Sequence, residues 1–136
     1  MKELTLQTRA RAEMIPVTAQ LQQMVFEEQW QTGALLVYCP HTTAGLTINE
    51  NADPNVQRDM AVFMNALVPQ ESGFRHAEGN SDSHIKTSLF GPHVMLIVAN
   101  GAIQLGTWQG VYYCEWDGPR SRKLWVQFLP GVSDSF

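Results

Sequence analysis

The sequence lacks any long apolar run and carries no surplus of positive charge. No segment approaches the roughly 20 apolar residues that a membrane-spanning helix requires. Nine lysines and arginines stand against 13 aspartates and glutamates, which gives a formal net charge of −4. Because nucleic acids and anionic membranes attract basic surfaces, this balance argues against both as partners. The N-terminal segment MKELTLQTRARAE has no apolar stretch typical of a signal peptide, so we expect a cytoplasmic protein.

Cysteine is scarce, and the common nucleotide-binding and hydrolytic motifs are missing. Cys39 and Cys114 each lie inside an apolar run, so we expect two reduced core thiols rather than a disulfide. A metal role for Cys39, two residues before His41, is a weaker alternative. The sequence contains no Walker loop and no GxGxxG, GxSxG or HExxH pattern. Nothing in it implies an organic cofactor.

Apolar and alternating runs predict strands along most of the chain. Short strands are expected at LTL, ALLVYC, AGLTINE, VMLIVAN, GVYYCEW and KLWVQFL. Because strands outnumber helices and often follow one another directly, this order favours an α+β fold with a largely antiparallel sheet or sandwich. Without an internal repeat or linker, residues 1–136 are expected to form a single domain.

Two main helices interrupt the predicted strands. The first is expected to open at Pro16, with Thr18 as its cap. The second begins at Asp53 and Pro54, an acidic cap followed by proline in the first turn. Four apolar residues spaced four, three and four apart predict its inward face: Val56, Met60, Phe63 and Leu67.

The longest predicted loop covers residues 70–83, which contain almost no apolar side chains. Loops of that length inside compact domains are often functional. A short helix is expected to follow from His84 to Phe90, with Asp82 or Ser83 as its cap.

Three of the four histidines lie in polar segments punctuated by glycine, a setting that fits a core role poorly. His41 occurs in CPHTTAGLTINEN, and His76 and His84 occur in RHAEGNSDSHIK. Because His41 follows a buried strand, it is rigidly held, as a site residue should be. Neutral imidazoles beside carboxylates suit a divalent metal or proton transfer. The spacing matches no generic zinc motif, however, and a solvated surface loop is the alternative for His76 and His84.

Asn49 and Glu50 lie in TINEN, just ahead of the second helix. One interpretation is local capping, with Glu50 or Asn51 satisfying free amides at the helix start. In the other, Glu50 is a general base or supports a histidine by hydrogen bonding.

The segment GTWQGVYYCEWDGPRSR is the other unusual stretch. Glu115 lies in the middle of a predicted strand and needs a partner, for which Arg120 or Arg122 would serve. The two arginines are also candidates for a fork that grips phosphate or carboxylate, with solvated turn residues as the alternative. Trp108 is expected either to stack on a planar substrate or to lie in the core.

With these residues in view, the chain resembles the YjbQ-like proteins, also called the secondary thiamine-phosphate synthase family. Three motifs carry the resemblance, which runs over nearly the whole chain: HTTAGLTINENADP (41–54), HAEGNSDSHIKTSLFG (76–91) and LGTWQGVYYCEWDGPRSR (105–122). The resemblance implies an α+β fold that assembles as a homotrimer, with the site near subunit interfaces. It also implies that the three polar-segment histidines meet, with a divalent metal (Zn, Mn, Ni, Fe or Mg) as a candidate cofactor.

The activity implied by the resemblance is a weak or secondary joining of the pyrimidine and thiazole moieties of thiamine phosphate. We therefore expect a transferase that acts on a phosphorylated heterocyclic metabolite. The expected catalytic residues are His41, His76, His84, Asn49 and Glu50, the three histidines being also the expected metal ligands. The expected phosphate-binding residues are Thr42, Thr43, Arg120 and Arg122.

Two other functions stay open at this point. One is a metal-assisted hydrolase that uses the same histidines, with Glu50 or Glu78 as the base for a bound water. The other is a trimeric module that binds a metabolite or metal without chemistry.

Overall fold

The computed structural model describes residues 1–132, which form two antiparallel sheets and three helices. The chain order is β1 (Lys2–Gln7), β2 (Glu13–Pro16), α1 (Thr18–Glu27), β3 (Gly33–Tyr38), β4 (Ala44–Glu50), α2 (Pro54–Leu67), α3 (Ser81–Phe90), β5 (His93–Ala99), β6 (Ala102–Gln104), β7 (Gln109–Glu115) and β8 (Ser121–Pro130).

All strand pairs are antiparallel, in two separate sheets. Sheet A has five strands in the order β1-β8-β3-β5-β6, and sheet B has three in the order β2-β7-β4. The predicted α+β class with a largely antiparallel sheet is confirmed, although α3 is a full third helix of ten residues. No helix within residues 1–132 has the length and apolarity to cross a membrane.

The main core lies between the inner faces of the two sheets and is closed by α1. Alternate residues of each strand face it, as the two-residue period of a strand requires. Sheet A contributes Leu35, Val37, Leu96, Val98, Leu124 and Val126, and the other side contributes Leu21, Val25, Ala44, Leu46, Val111 and Tyr113. Burying each large apolar side chain stabilises the fold by about 1.5–3 kcal/mol.

The start of α1 differs from the prediction. Pro16 is the last residue of β2, and Thr18 is the first helical residue rather than the cap. The Thr18 hydroxyl oxygen instead accepts the backbone N–H of Val111 at 2.9 Å. The hydroxyl therefore ties α1 to β7 and leaves the helix start without a side-chain cap.

The start of α2 was predicted correctly, but its inward face only in part, because Val56 and Met60 are half-buried whereas Phe63 and Leu67 are not. The carboxylate of Asp53 accepts the backbone N–H of Asn55 at 3.0 Å, with Pro54 in the first turn. Met64 is the buried residue of this helix, whereas Phe63 and Leu67 are 63% and 57% exposed. Because the helix lies on the outside of sheet B, its contact line follows Met64, which is about 100° around the axis from Phe63.

Helix α3 begins at Ser81, three residues before the predicted start. Asn80 occupies the cap position, and its side chain makes no capping hydrogen bond. The two predicted caps, Asp82 and Ser83, lie inside the first turn and are fully buried. The Asp82 carboxylate binds charged partners instead of the helix amides, which the sequence spacing did not reveal.

Both cysteines are buried free thiols, as predicted. Burial raises the pKa of the Cys39 thiol and likewise that of Cys114. A protonated thiol is a poor metal ligand and a poor nucleophile. The weaker interpretation of Cys39 as a metal ligand is therefore not supported.

Candidate active site

A small open hollow lies where three distant segments meet. These are the β3–β4 loop, the start of α3 with the residues that lead into it, and the β7–β8 turn with the start of β8. The hollow has a volume of about 280 Å³ and is lined by Pro40, His41, Thr42, Thr43, Glu78, Asn80, His84, Arg120 and Arg122. Nearly all of these side chains are polar, so the hollow suits a small charged or hydrogen-bonding ligand.

Close packing between α3 and β4 brings two of these segments together. Gly45 of β4 lies against the end of α3, where a Cβ atom would come within 2.7 Å of the Gly91 carbonyl oxygen. The backbone N–H of Leu46 donates to that same carbonyl at 3.1 Å. Glycine at position 45 thus permits the approach that sets His84 beside the β3–β4 loop.

A buried charge cluster fixes α3 from its other side. The Asp82 carboxylate accepts two bonds of 3.0 Å from the Arg11 guanidinium and one of 2.8 Å from the Lys86 ammonium. Burial opposes ionisation of Asp82, but the hydrogen bonds from Arg11 and Lys86 hold its pKa below the ordinary value. The helix that carries His84 is therefore held in a defined orientation.

The imidazole of His41 is half-buried and makes a hydrogen bond to β8. Its Nε2 accepts the backbone N–H of Lys123 at 2.9 Å. Burial, and then the positive charge of Arg122, lower the pKa of His41 below its ordinary value. His41 is therefore neutral at pH 7, with its Nε2 lone pair already engaged.

Two of the three predicted histidines reach the hollow, and the third touches one of them. His84 lines the hollow together with His41. The ring of His76 meets that of His84 edge-on, with 5.5 Å between the ring centroids. His76 is exposed, and its Nε2 lies 3.8 Å from a carboxylate oxygen of Glu78.

Both arginines line the hollow, but their surroundings differ, since Arg122 is bound to Glu115 and Thr43 whereas Arg120 is half-exposed. Arg122 is 2% exposed and paired with Glu115, which is fully buried. Arg122 Nε donates to Glu115 at 2.8 Å, and a second nitrogen donates to the Thr43 hydroxyl at 2.8 Å. The predicted ion pair for Glu115 is confirmed. Burial opposes the charge of Glu115, but hydrogen bonds from Arg122 and Thr8 keep its pKa below the ordinary value.

Arg120 is the arginine that remains half-exposed at the hollow, and Asp117 holds it. Arg120 Nε donates to the Asp117 carbonyl at 2.8 Å, and Nη2 donates to its carboxylate at 3.0 Å. The same carboxylate accepts the side-chain N–H of Asn80 at 2.7 Å. Asn80 is 8% exposed, and its side-chain oxygen has no partner among residues 1–132.

Asn80 and Asp117 were not among the predicted site residues. Their only signal in the sequence is their position inside the two polar motifs, close to His84 and Arg120. Their pairing depends on a contact between residues 37 positions apart. Sequence spacing gives no information on such a contact.

Asn49 and Glu50 lie at the other end of β4. We call residues 40–44 the near end of β4 and residues 49–51 its far end. β4 is extended from Ala44 to Glu50, so the two ends are about 20 Å apart. Asn49 and Glu50 therefore do not reach the hollow of their own protomer.

The far end is not the helix cap either, because Asp53 fills that role. The side-chain N–H of Asn51 donates to Gln109 at 2.9 Å, and its backbone N–H donates to Trp108 at 2.7 Å. Trp108 is 64% exposed, so the predicted core position is wrong and its ring lies far from the hollow. A side-chain oxygen of Glu50 is buried and has no partner among residues 1–132.

The residues around the hollow do not fit a divalent metal as they are arranged. Within residues 1–132, no three His, Cys, Asp or Glu side chains lie close enough to share one ion. Coordination by His41 would also require the lone pair that accepts the Lys123 N–H. The expected metal, whether Zn, Mn, Ni, Fe or Mg, therefore finds no ready set of ligands here.

Known proteins match this chain over nearly its whole length. A family model described as "UPF0047 protein YjbQ-like" matches residues 2–131. The UPF0047 protein YugU of Bacillus subtilis is 46% identical over 130 residues, which cover 95% of this chain and 98% of that protein. A UPF0047 protein of Archaeoglobus fulgidus is 41% identical over 129 residues, or 93% of this chain and 99% of that protein.

Solved structures show the same fold. A YjbQ/UPF0047 family protein from Clostridium acetobutylicum superimposes with a TM-score of 0.93 at 45% identity, covering 95% of this chain and all of that one. A conserved hypothetical protein from Thermus thermophilus gives a TM-score of 0.89 at 36% identity, covering 95% of this chain and 100% of that one.

Proposed function

Since this chain belongs to the UPF0047 YjbQ-like family, we propose that it is a small cytoplasmic enzyme that acts on a phosphorylated heterocyclic metabolite. Its reaction is a group transfer like that of a secondary thiamine-phosphate synthase. The observation that carries the proposal is the hollow, where His41, His84, Arg120 and two threonines converge from separate segments. A hollow rich in hydrogen-bond donors, with one half-exposed cation, suits a phosphate or diphosphate group.

In this reaction a C–O bond breaks between the pyrimidine methylene carbon and the diphosphate. The electron pair of that bond leaves with pyrophosphate, and the thiazole nitrogen forms the new C–N bond to the same carbon. Negative charge therefore builds up on the leaving diphosphate. Fixed donors aimed at that charge lower the barrier, and each one removed typically slows such a step by about 10²–10³.

Arg120 supplies the positive charge in this proposal. Asp117 accepts from one side of its guanidinium, which leaves the remaining N–H groups for a ligand. The exposed hydroxyl of Thr42 is a further donor. The Thr43 oxygen accepts from the buried Arg122, which orients its proton for donation.

A hydrolase is the second candidate, and the position of Glu78 favours it. Glu78 lines the hollow and lies 3.8 Å from His76 Nε2, so its carboxylate is a candidate base for a water. Glu50, the other base considered from the sequence, is at the far end of β4 in the same protomer. Assays on phosphate esters, run beside the thiamine precursors, separate the two reactions.

The test of the proposed function replaces each site histidine singly by alanine. Turnover of the pyrimidine diphosphate and thiazole phosphate precursors is expected to fall steeply in His41→Ala, His76→Ala and His84→Ala. Gln23→Ala is the control, because Gln23 is exposed on α1 and does not line the hollow. Wild-type turnover in all three site variants defeats the proposal. Binding of the precursors without any product from the wild type would instead assign a non-catalytic binding module.

We further propose that the protein works as a homotrimer. The outer face of sheet A is apolar, with Tyr38, Met95, Ile97 and Leu129 between 40% and 67% exposed. Antiparallel sheets that face water usually carry polar residues on that side, so we propose that a neighbouring subunit packs against this face. A second apolar patch occurs on α2, which includes Phe63. Two unlike patches on one chain suit head-to-tail contacts, which form a closed trimer when each contact rotates the next subunit by 120°.

A trimer also offers a role for the far end of β4. We propose that Asn49 and Glu50 of one protomer complete the hollow of a neighbour, since they cannot reach their own. The exposed side chain of Asn49 supports this assignment. The hollow itself adjoins the apolar face, because Lys123, which binds His41, precedes Trp125, and Trp125 stacks on Tyr38.

Mixed trimers test this arrangement. His41→Ala and Glu50→Ala proteins are each expected to be inactive alone. Trimers formed at random from equal amounts of the two are expected to regain roughly a quarter of wild-type turnover, the share of sites with both residues intact. Glu50→Ala turnover equal to wild type, or no recovery on mixing, contradicts the shared site and leaves the roles of the histidines untouched.

A further inference from the structure

We infer that His41 is a fixed hydrogen-bond donor, through Nδ1–H, to an anionic oxygen of the ligand, and is neither a metal ligand nor a general base. The inference rests on the proposed function for the identity of the ligand. The state of the imidazole itself follows from the backbone around it.

The hydrogen bond from Lys123 arises where sheet A loses a strand. β3 pairs with β8 only as far as Tyr38, which faces Trp125. Further toward the start of β8, β1 continues to pair on one edge while β3 has ended on the other. The His41 imidazole takes the place of the missing strand carbonyl and accepts the Lys123 N–H at 2.9 Å.

This bond decides which ring nitrogen carries the proton. A backbone N–H can only donate, so Nε2 must present its lone pair and carry no hydrogen. A neutral imidazole has one N–H, which is therefore on Nδ1. The residue before Lys123 also holds the β3–β4 loop in place, because the Arg122 guanidinium donates to the Thr43 hydroxyl at 2.8 Å.

The assignment excludes two roles for His41. A metal would need a lone pair on Nδ1, which the proton there occupies, or the one on Nε2, which the Lys123 N–H occupies. A general base would need a free lone pair in the same way. What remains is a neutral donor, which can bind an oxyanion without giving up its proton.

The charges around His41 favour this neutral state. Arg122 and Lys123 approach from β8 and Arg120 from the turn before it, whereas Glu115 on β7 is the carboxylate nearby. The three cations outweigh the nearby carboxylates, because Glu115 is already paired with Arg122 and Glu78, which also lines the hollow, is 74% exposed. An anionic ligand in the hollow then meets Arg120, the Thr42 hydroxyl and His41 Nδ1–H, which are all donors.

Long-range ¹H–¹⁵N correlation spectra of ¹⁵N-histidine protein test the inference at pH 7. We expect one unprotonated nitrogen at Nε2 and one protonated nitrogen at Nδ1 for His41, unchanged by added Zn²⁺. Added inorganic pyrophosphate is expected to shift the Nδ1–H resonance. The His41→Asn variant assigns the two His41 signals, because both are absent from its spectrum.

Protonated Nε2, averaged tautomers or a Zn²⁺-dependent shift at His41 would overturn the inference. So would an Nδ1–H resonance that pyrophosphate leaves in place. A second measurement uses His41→Asn, whose side-chain N–H can stand near Nδ1. We expect it to bind pyrophosphate at least tenfold more tightly than His41→Ala, and equal binding by the two variants contradicts the donor role. Because the tautomer is read without turnover, an inactive protein would defeat the proposed function and leave this inference standing.

Discussion

The two ends of β4 carry similar polar side chains, yet they are built in opposite ways. At the near end, a buried ion pair of Glu115 and Arg122 supports the loop and leaves His41 and Thr42 facing the hollow. At the far end, the side-chain and backbone N–H groups of Asn51 donate to the backbone carbonyls of Gln109 and Trp108. The comparison suggests a rule for polar motifs. Where buried charges support the backbone, as at the near end, the remaining polar side chains are left accessible to a ligand.

The largest difference between the two ends is expected when the ion pair at the near end is removed. Arg122→Ala leaves Glu115 buried without its partner, so we expect the free energy of unfolding to fall by about 3–5 kcal/mol. Asn49→Ala is the far-end control and, because Asn49 is exposed, should change it by about 0.5 kcal/mol or less. Urea unfolding measures both. A small effect of Arg122→Ala would mean that the ion pair does not support the near end.

The second prediction concerns the cation of the hollow. Arg120→Ala is expected to slow turnover by about 10²–10³, because it removes the exposed positive charge from the leaving group. Stability should change little, since Arg120 is half-exposed. Arg58→Ala is the matched control, because that arginine is exposed on α2. If the two variants kept equal kcat values, Arg120 would have no part in the reaction.

The third prediction compares the residues that start two helices. Asp53→Ala removes the N-cap hydrogen bond of α2, which follows the far end of β4. We expect it to lower the free energy of unfolding by about 1 kcal/mol. Asn80→Ala removes no cap, so its main effect is expected on ligand binding beside Arg120. Thermal unfolding and pyrophosphate titration of each variant separate the two effects. If Asn80→Ala lowered the Tm but left pyrophosphate binding unchanged, Asn80 would have only a structural role.

The fold was predictable from sequence because its signals are local. Runs such as ALLVYC and the Asp53–Pro54 helix start are fixed by neighbours a few residues away, and both appear as predicted. The inward face of α2 was partly wrong, because the choice between Met64 and Phe63 depends on where sheet B lies. Periodicity gives the shape of an apolar stripe but not the partner that covers it.

The site was only partly predictable, because its geometry depends on contacts between distant segments. His41 and His84 meet at the hollow as expected, and Arg120 joins them. Sequence reasoning offered Arg120 or Arg122 as the partner of Glu115 but did not distinguish them. It did not reveal that Asp117 ties Arg120 to Asn80. The sequence motifs identified the candidate residues. Which of them come together depends on how the strands pair, and this pairing separates Asn49 and Glu50 from His41.

The last and smallest effect is the pH dependence that His41 contributes at the near end. Its pKa is lowered in the folded protein, first by burial and then by Arg122, so the unfolded chain binds a proton more readily. Its contribution to stability is therefore complete above the ordinary histidine pKa of about 6.5 and is lost as the pH falls below that value. Between pH 7 and pH 5, wild type should lose more stability than His41→Asn, which has no proton to take up there. Urea unfolding at each pH measures these losses. Equal losses in the two proteins would show that burial and Arg122 do not lower the pKa of His41 in the folded state.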